Sequence, residues 1–74
     1  MKLIVDIGNS AAKLVAFDGN TPIEQIKTSG KTLEGLDAFA QKHHFTRGSV
    51  GTVTGITPEA EKALDALCFP VMRF

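Results

Sequence analysis

The run Lys2-Leu3-Ile4-Val5-Asp6-Ile7 is nearly continuous in apolar residues over the length of one strand, and it ends at a glycine. Apolar side chains at both odd and even positions are the pattern of a strand covered on both faces, which places it at the centre of a sheet. The fold must be built outward from it. A chain of 74 residues has room for one domain, and a domain of that size removes little more than about 60% of its unfolded surface from water. The core is therefore thin.

The elements that follow alternate regularly. Residues 12–17 form a second apolar run, and Asp18-Gly19-Asn20 behind it is a hairpin signal, because Gly and Asn adopt positive φ at little cost. A third strand over 23–28 carries Glu24, Gln25 and Lys27 among its apolar positions, with Pro22 at its start, the composition of a sheet edge. The period then changes. Leu33, Leu36, Phe39, Ala40 and His43 recur at three and four, with Thr32 placed to cap and Glu34 favourable to the helix dipole, predicting a helix that runs to about His44. Residues 49–54, bounded by Gly48 and Gly55, predict a fourth strand. Thr57 as cap, Pro58 at the first helical position and Glu59 in the first turn open a second helix with the stripe Ala60, Ala63, Leu64 and Leu67. Residues 69–74 predict a fifth strand, with Phe69, Val71 and Arg73 on one side and Met72 and Phe74 on the other.

Strand, strand, strand, helix, strand, helix, strand is the order of an α/β domain. An antiparallel meander followed by right-handed crossovers gives a mixed sheet of about five strands in the order 3-2-1-4-5 with two helices, the core of a ribonuclease-H-like fold. No repeat, low-complexity segment or linker interrupts it. The two helices need not share a face, and nothing after Phe74 completes the cover, so some apolar surface is expected to stay exposed. Residues 1–74 thus read as a single half-domain that is truncated or dependent on further structure.

Charge and cysteine content exclude several classes. Eight basic and eight acidic residues cancel, and the aromatics are five Phe, so neither a nucleic acid nor an anionic membrane is an expected partner. The lone Cys68 rules out an internal disulfide and suits a reducing, cytoplasmic setting. One Lys and three consecutive apolar residues before Asp6 are too few for a signal peptide or a membrane span.

The chemistry concentrates in Asp6-Ile7-Gly8-Asn9-Ser10-Ala11-Ala12-Lys13. Phosphate oxygens need backbone N–H donors at close range, so a turn that meets them must lack bulk at its nearest point, as Gly8 does. Asn9 and Ser10 add uncharged donors. Asp6, at the carboxyl end of the central strand, suits a hydrated Mg²⁺, which takes one or two carboxylates beside phosphate oxygens and water. Lys13 can neutralise developing negative charge, and together these roles fit phosphoryl transfer. The residue types alone equally allow a turn with a capping Asp6 and a solvated Lys13.

Asp6-Ile7-Gly8-Asn9-Ser10 followed by Lys13 resembles the first phosphate-binding motif of the type III pantothenate kinases, Asp-(Ile/Val)-Gly-Asn-(Ser/Thr)-x-x-Lys, and the likeness extends to the turn Phe17-Asp18-Gly19. That family belongs to the acetate and sugar kinase, Hsp70 and actin superfamily, whose two ribonuclease-H-like halves close on a nucleotide. The resemblance implies an incomplete first half of an actin-like kinase fold, ATP phosphates held by residues 6 to 13 (Asp6, Ile7, Gly8, Asn9, Ser10, Ala11, Ala12 and Lys13), and Mg²⁺ near Asp6. It implies ATP-dependent phosphorylation of pantothenate on the way to coenzyme A, with a monovalent cation and a homodimer in the full-length family. Members are about three times this length. Their downstream Gly-x-x-Asp-Arg segment, with the catalytic base and pantothenate contacts, has no counterpart here, so no catalytic residue is assigned and the isolated chain is expected to be inactive. Many members carry Ser-Ser-Val and then Pro near the fourth strand; Thr52-Val53-Thr54-Gly55-Ile56-Thr57-Pro58 departs from this, and no function is carried onto it.

Other constellations are weaker. His43 and His44 point about 100° apart on a helix, and no acid or Cys stands at a useful spacing for a metal, so a helix-end charge with His43 partly packed is the simpler reading. Cys68 fits a small packed hydrophobe, and Lys27, Lys31, Lys42 and Arg47 fit a solvated surface. Two alternatives compete with the kinase reading. A ribonuclease-H-like nuclease needs several converging carboxylates, for which Glu34 or Asp37 could join Asp6, yet the fourth strand ends without an acid. A noncatalytic assembly half-domain would dock another subunit through the fifth strand and the exposed sheet face.

Overall fold

The computed structural model describes every residue from Met1 to Phe74. Its elements are β1 (Lys2–Ile7), β2 (Ala11–Asp18), β3 (Thr21–Ser29), α1 (Leu36–Lys42), β4 (Arg47–Thr52), α2 (Pro58–Asp65) and β5 (Val71–Arg73). They form one mixed sheet in the order β3-β2-β1-β4-β5, with β1–β2 and β2–β3 antiparallel and β1–β4 and β4–β5 parallel. Element order, sheet order and the edge position of β3 agree with the sequence reading. No helix is long and apolar enough to cross a membrane.

The core occupies one side of the sheet. Leu3, Val5 and Ile7 of β1 stand opposite Ala16, Leu14 and Ala12 of β2, and all six are buried. Leu36 and Phe39 of α1, Ala60 and Leu64 of α2, and Val50 of β4 complete the same cluster. The other face of β1 carries Ile4, half-buried, and Asp6, exposed. β1 is therefore central but covered on one face only, contrary to the expectation of cover on both. The cause is topological: the crossovers from β3 to β4 and from β4 to β5 step across the sheet in the same direction, and right-handedness then puts both helices on the same side. Val15 and Phe17 stay half-buried on the bare face, and Met72 and Phe74 are 62% and 77% exposed. Exposed apolar surface was expected, and it lies there.

The bounds of α1, β4 and β5 differ from expectation. α1 begins at Leu36 behind Gly35, whose φ is 87°, and no side chain caps it; Thr32 is not a cap, and Glu34 precedes the helix. Leu33 belongs to the preceding turn, where it is buried with φ 53° and its N–H donates to the Ser29 carbonyl at 2.9 Å. A left-handed backbone at a residue other than glycine costs about 1–2 kcal/mol, offset here by burying the leucine. The Leu33–Leu36 spacing suits this turn as well as a helix, which misled the periodicity. The helix stops at Lys42, with His43 extended as its C-cap.

β4 runs Arg47–Thr52 rather than 49–54, since its ladder with β1 pairs Lys2 with Arg47 through Ile7 with Thr52. Gly48 lies inside this strand because Phe69 packs on it: a Cβ there would stand 3.3 Å from the Phe69 ring and 3.4 Å from the Leu3 carbonyl. Val53, 79% exposed, falls outside. β5 shortens to three residues, with Phe69 spent on that packing. Its Arg73 reaches Glu61 and Asp65 of α2 at 2.5 and 2.8 Å, on the covered side as the alternation requires. α2 starts as read, Thr57 accepting the Ala60 N–H at 3.1 Å, and ends at Asp65, before Leu67 of the expected stripe. Cys68 is exposed rather than packed, because α2 ends at Asp65 before carrying it inward.

The edge strand is tied down by charge. Glu24 of β3 accepts from Lys42 at 2.8 Å and meets His43 at 2.6 Å, and the His43 ring lies edge-on to Phe39 with centroids 5.1 Å apart. The Lys42 and then the His43 hydrogen bonds hold the Glu24 carboxyl below its ordinary value of 4.5. A lowered folded-state pKa contributes stability that is present above the ordinary value and lost as pH falls through the lowered one. Acid titration of urea stability is expected to fall less steeply below pH 4.5 in Glu24→Gln than in the parent; parallel acid limbs would show that the pairing contributes nothing.

Candidate functional site

The turn joining β1 to β2 is anchored from below. Ile7 and Ala12 are buried cross-strand partners, so the backbone leaves and re-enters the core within a few residues. Gly8 closes the turn by donating its N–H to the Ala11 carbonyl at 2.8 Å, and a Cβ at Gly8 would stand 3.3 Å from that oxygen. The Gly8 N–H is thus engaged within the chain, and the close approach at this glycine is to its own backbone. Asn9 and Ser10 are exposed, and neither their N–H groups nor their side chains have a partner in the protein. The free donors of the turn are therefore at residues 9 and 10.

Asp6 and Lys13 face each other across the β1–β2 ladder on the bare side of the sheet, both exposed. They stand in a row that begins at Gly51 of β4 and ends at Lys27 of β3. Asp6 takes part in none of the ion pairs of the chain, and no group of three or more His, Cys, Asp or Glu side chains converges here or at any other place in the chain. Beside Asp6, Gly51 leaves open space: a Cβ there would meet nothing within 4 Å. A single exposed carboxylate with room around it suits a cation that keeps most of its waters. Lys13 and Lys27 are direct cross-strand neighbours, a like-charge pair that costs stability in a sheet. Lys27 is a cation beside the turn that the sequence reading assigned to solvent.

The other side of the turn borders a cleft of about 280 Å³ formed by Gly8 and Asn9, by Gly30 and Lys31 after β3, and by Thr54 to Thr57 before α2. Of residues 6–13 only Gly8 and Asn9 line it; Asp6 and Lys13 lie on the bare face, and Ile7 and Ala12 hold the turn from the core. Sequence reasoning missed Gly30, Lys31, Thr54, Gly55 and Thr57. Their signal was topological: β1, β3 and β4 run in the same direction, and ligands of open α/β sheets gather outside the carboxyl ends of such strands. Gly55, with φ 95°, turns the chain back over the cleft, and Thr52 Oγ1 steadies it by accepting from the Thr54 and Gly55 N–H groups at 3.2 and 3.0 Å. A larger hollow of about 380 Å³ lies between the carboxyl ends of the two helices, floored by Phe45, Leu67 and Phe69. It touches none of residues 6–13.

No family model matches this chain. It is similar to the type III pantothenate kinases of two strains of Bacteroides fragilis, 33% identical over 72 residues that make up 97% of this chain and 30% of each relative. It is likewise similar to the type III pantothenate kinase of Phocaeicola vulgatus, 32% identical over 73 residues, 99% of this chain and 30% of the relative. The chain thus spans about 30% of the length of the curated relatives it matches.

The Lys13–Lys27 pair gives a test that needs no ligand. Replacing Lys27 with Glu sets opposite charges face to face and is expected to raise urea stability by about 0.2–1 kcal/mol at low salt, with the gain shrinking as salt is added. A loss of stability, or a gain indifferent to salt, would show that the two ammonium groups do not repel across the ladder.

Proposed function

We propose that this chain, an N-terminal portion of the type III pantothenate kinase family, forms the ATP-phosphate-binding part of a pantothenate kinase. The observation that supports this most is the pair of unpartnered N–H groups at Asn9 and Ser10, on a turn fixed to the central strand, with Asp6 and Lys13 beside it. On this reading the domain is the first ribonuclease-H-like half of an actin-like fold. The second half, the catalytic base and the pantothenate contacts belong to the remainder of the full-length cytoplasmic enzyme, a homodimer that also uses a monovalent cation. The isolated chain binds nucleotide and does not turn it over.

In the reaction, the γ-phosphoryl of ATP passes to the pantothenate hydroxyl. The residues of this chain act by position and charge, the two contributions that dominate phosphoryl transfer. Asn9 and Ser10 direct N–H dipoles, and their side chains, at the phosphate oxygens. Lys13 sets a positive charge where negative charge gathers as the bond to the leaving diphosphate opens. Gly8 keeps the turn tight, and Ile7 and Ala12 keep it from moving. Asp6 would hold the Mg²⁺, since its carboxylate is exposed, outside every ion pair and next to the space over Gly51. When bound there, the ion would supply positive charge that offsets part of the charge on the phosphates.

A second reading rests on the bare sheet face, where Ile4, Val15, Phe17, Met72 and Phe74 leave apolar surface uncovered. That surface favours assembly with further structure, whether or not nucleotide is bound.

Titrating the chain with Mg²⁺–ATP separates the two. Backbone amides of Asn9 and Ser10 are expected to shift, Lys13→Ala to weaken binding by about tenfold, the worth of one hydrogen bond to a charged group, and Asp6→Asn to abolish the dependence of affinity on Mg²⁺. A folded chain whose turn amides stay still at millimolar nucleotide would favour assembly over phosphate binding.

A further inference from the structure

Lys31 is the only charged residue bordering the cleft beside the turn; the rest of the lining is glycine, Asn9, threonine and Ile56. The backbone that carries it is fixed at four points. Gly30 before it is buried, with room for no more than contact between a Cβ and Ile7 at 3.4 Å or Ala11 at 3.5 Å. The Lys31 N–H donates to Ser29 Oγ at 3.2 Å, and its carbonyl accepts from Thr57 Oγ1. Leu33, two residues on, is locked in the core in a left-handed conformation. The amino group at the end of this fixed backbone enters no ion pair. A free cation carried on a fixed backbone at the border of an uncharged polar cleft that also contains Asn9 is an arrangement for an anion.

We propose that Lys31 and this cleft form a second phosphate subsite, which takes the far end of a polyphosphate whose nearer part lies on the Asn9–Ser10 turn. The inference rests on the reading of that turn as a phosphate site and extends it to a residue outside the motif. Lys13 stands on the bare face of the sheet and Lys31 on the cleft side, so the polyphosphate crosses the turn with one cation on each side. Thr57 positions Lys31 through its hydroxyl. It also caps α2, so the lip of the cleft and the start of that helix are fixed together.

Tripolyphosphate, followed by backbone amide shifts of the chain, tests this directly, with orthophosphate as the free-phosphate arm. Tripolyphosphate is expected to shift Asn9 and Ser10 together with Gly55 and Thr57. Lys31→Ala should weaken it by about five- to tenfold and remove the shifts at Gly55 and Thr57 while keeping those at the turn, and Lys31→Arg should restore them. The exposed side chain makes none of the backbone bonds above, so the Lys31→Ala spectrum without ligand checks that the fold is intact. If Lys13→Ala weakens binding and Lys31→Ala changes neither affinity nor pattern, the turn reading stands and the second subsite is overturned. Shifts confined to the cleft and lost in Lys31→Ala would uphold the subsite and reject the turn, and if orthophosphate alone reproduces them the occupant is free phosphate. No shifts at any of the four amides with either anion would overturn both.

Discussion

Burial of Leu3, Val5 and Ile7 against Leu14, Val50 and the two helices is the interaction on which the rest of the structure depends. These three residues fix β1 in the middle of the sheet and set the register of β2 on one side and β4 on the other. Because side chains alternate along a strand, burying these three turns Lys2, Ile4 and Asp6 to the opposite face. The exposure of Asp6 beside Lys13 is thus a consequence of the core. The turn after Ile7 takes its rigidity from the same source, since Ile7 and Ala12 are the last buried pair before the backbone reaches solvent.

Groups around this turn work against the stability of so small a domain. Lys13 and Lys27 repel across a ladder, and Leu33 occupies a strained backbone conformation. Each would be cheaper as something else. All of them lie around the carboxyl ends of β1 and β3, while away from these ends Glu24 is paired with Lys42 and His43, and Arg73 with Glu61 and Asp65. Local conflict gathered at one end of a sheet is the pattern of a site built onto a scaffold.

Much of this was legible in the chain itself. The central position of β1, the Asp18-Gly19-Asn20 hairpin and the Thr57-Pro58 start of α2 follow from local chemistry that tertiary structure had no reason to override. What failed were features decided by packing between distant residues. Thr32 looked like a cap until Leu33 was needed as a core plug, Gly48 looked like a strand boundary until Phe69 was placed on it, and β1 looked doubly covered because its own residues cannot say on which side the helices cross. At the site, the eight residues of the motif were found by their types. The engagement of the Gly8 N–H and the nearness of Lys31 required the turn geometry and the strand order.

Amide hydrogen exchange on the chain, with and without Mg²⁺–ATP, tests most directly the central claim that a core-anchored turn holds two free donors for phosphate. Without nucleotide, Val5 and Ile7 should exchange slowest, Gly8 should be protected by its bond to Ala11, and Asn9 and Ser10 should exchange near the rate of an unprotected amide; nucleotide should then slow Asn9 and Ser10. Uniformly fast exchange through β1, or protection at Asn9 and Ser10 that is already present without nucleotide and does not change when it is added, would contradict the account.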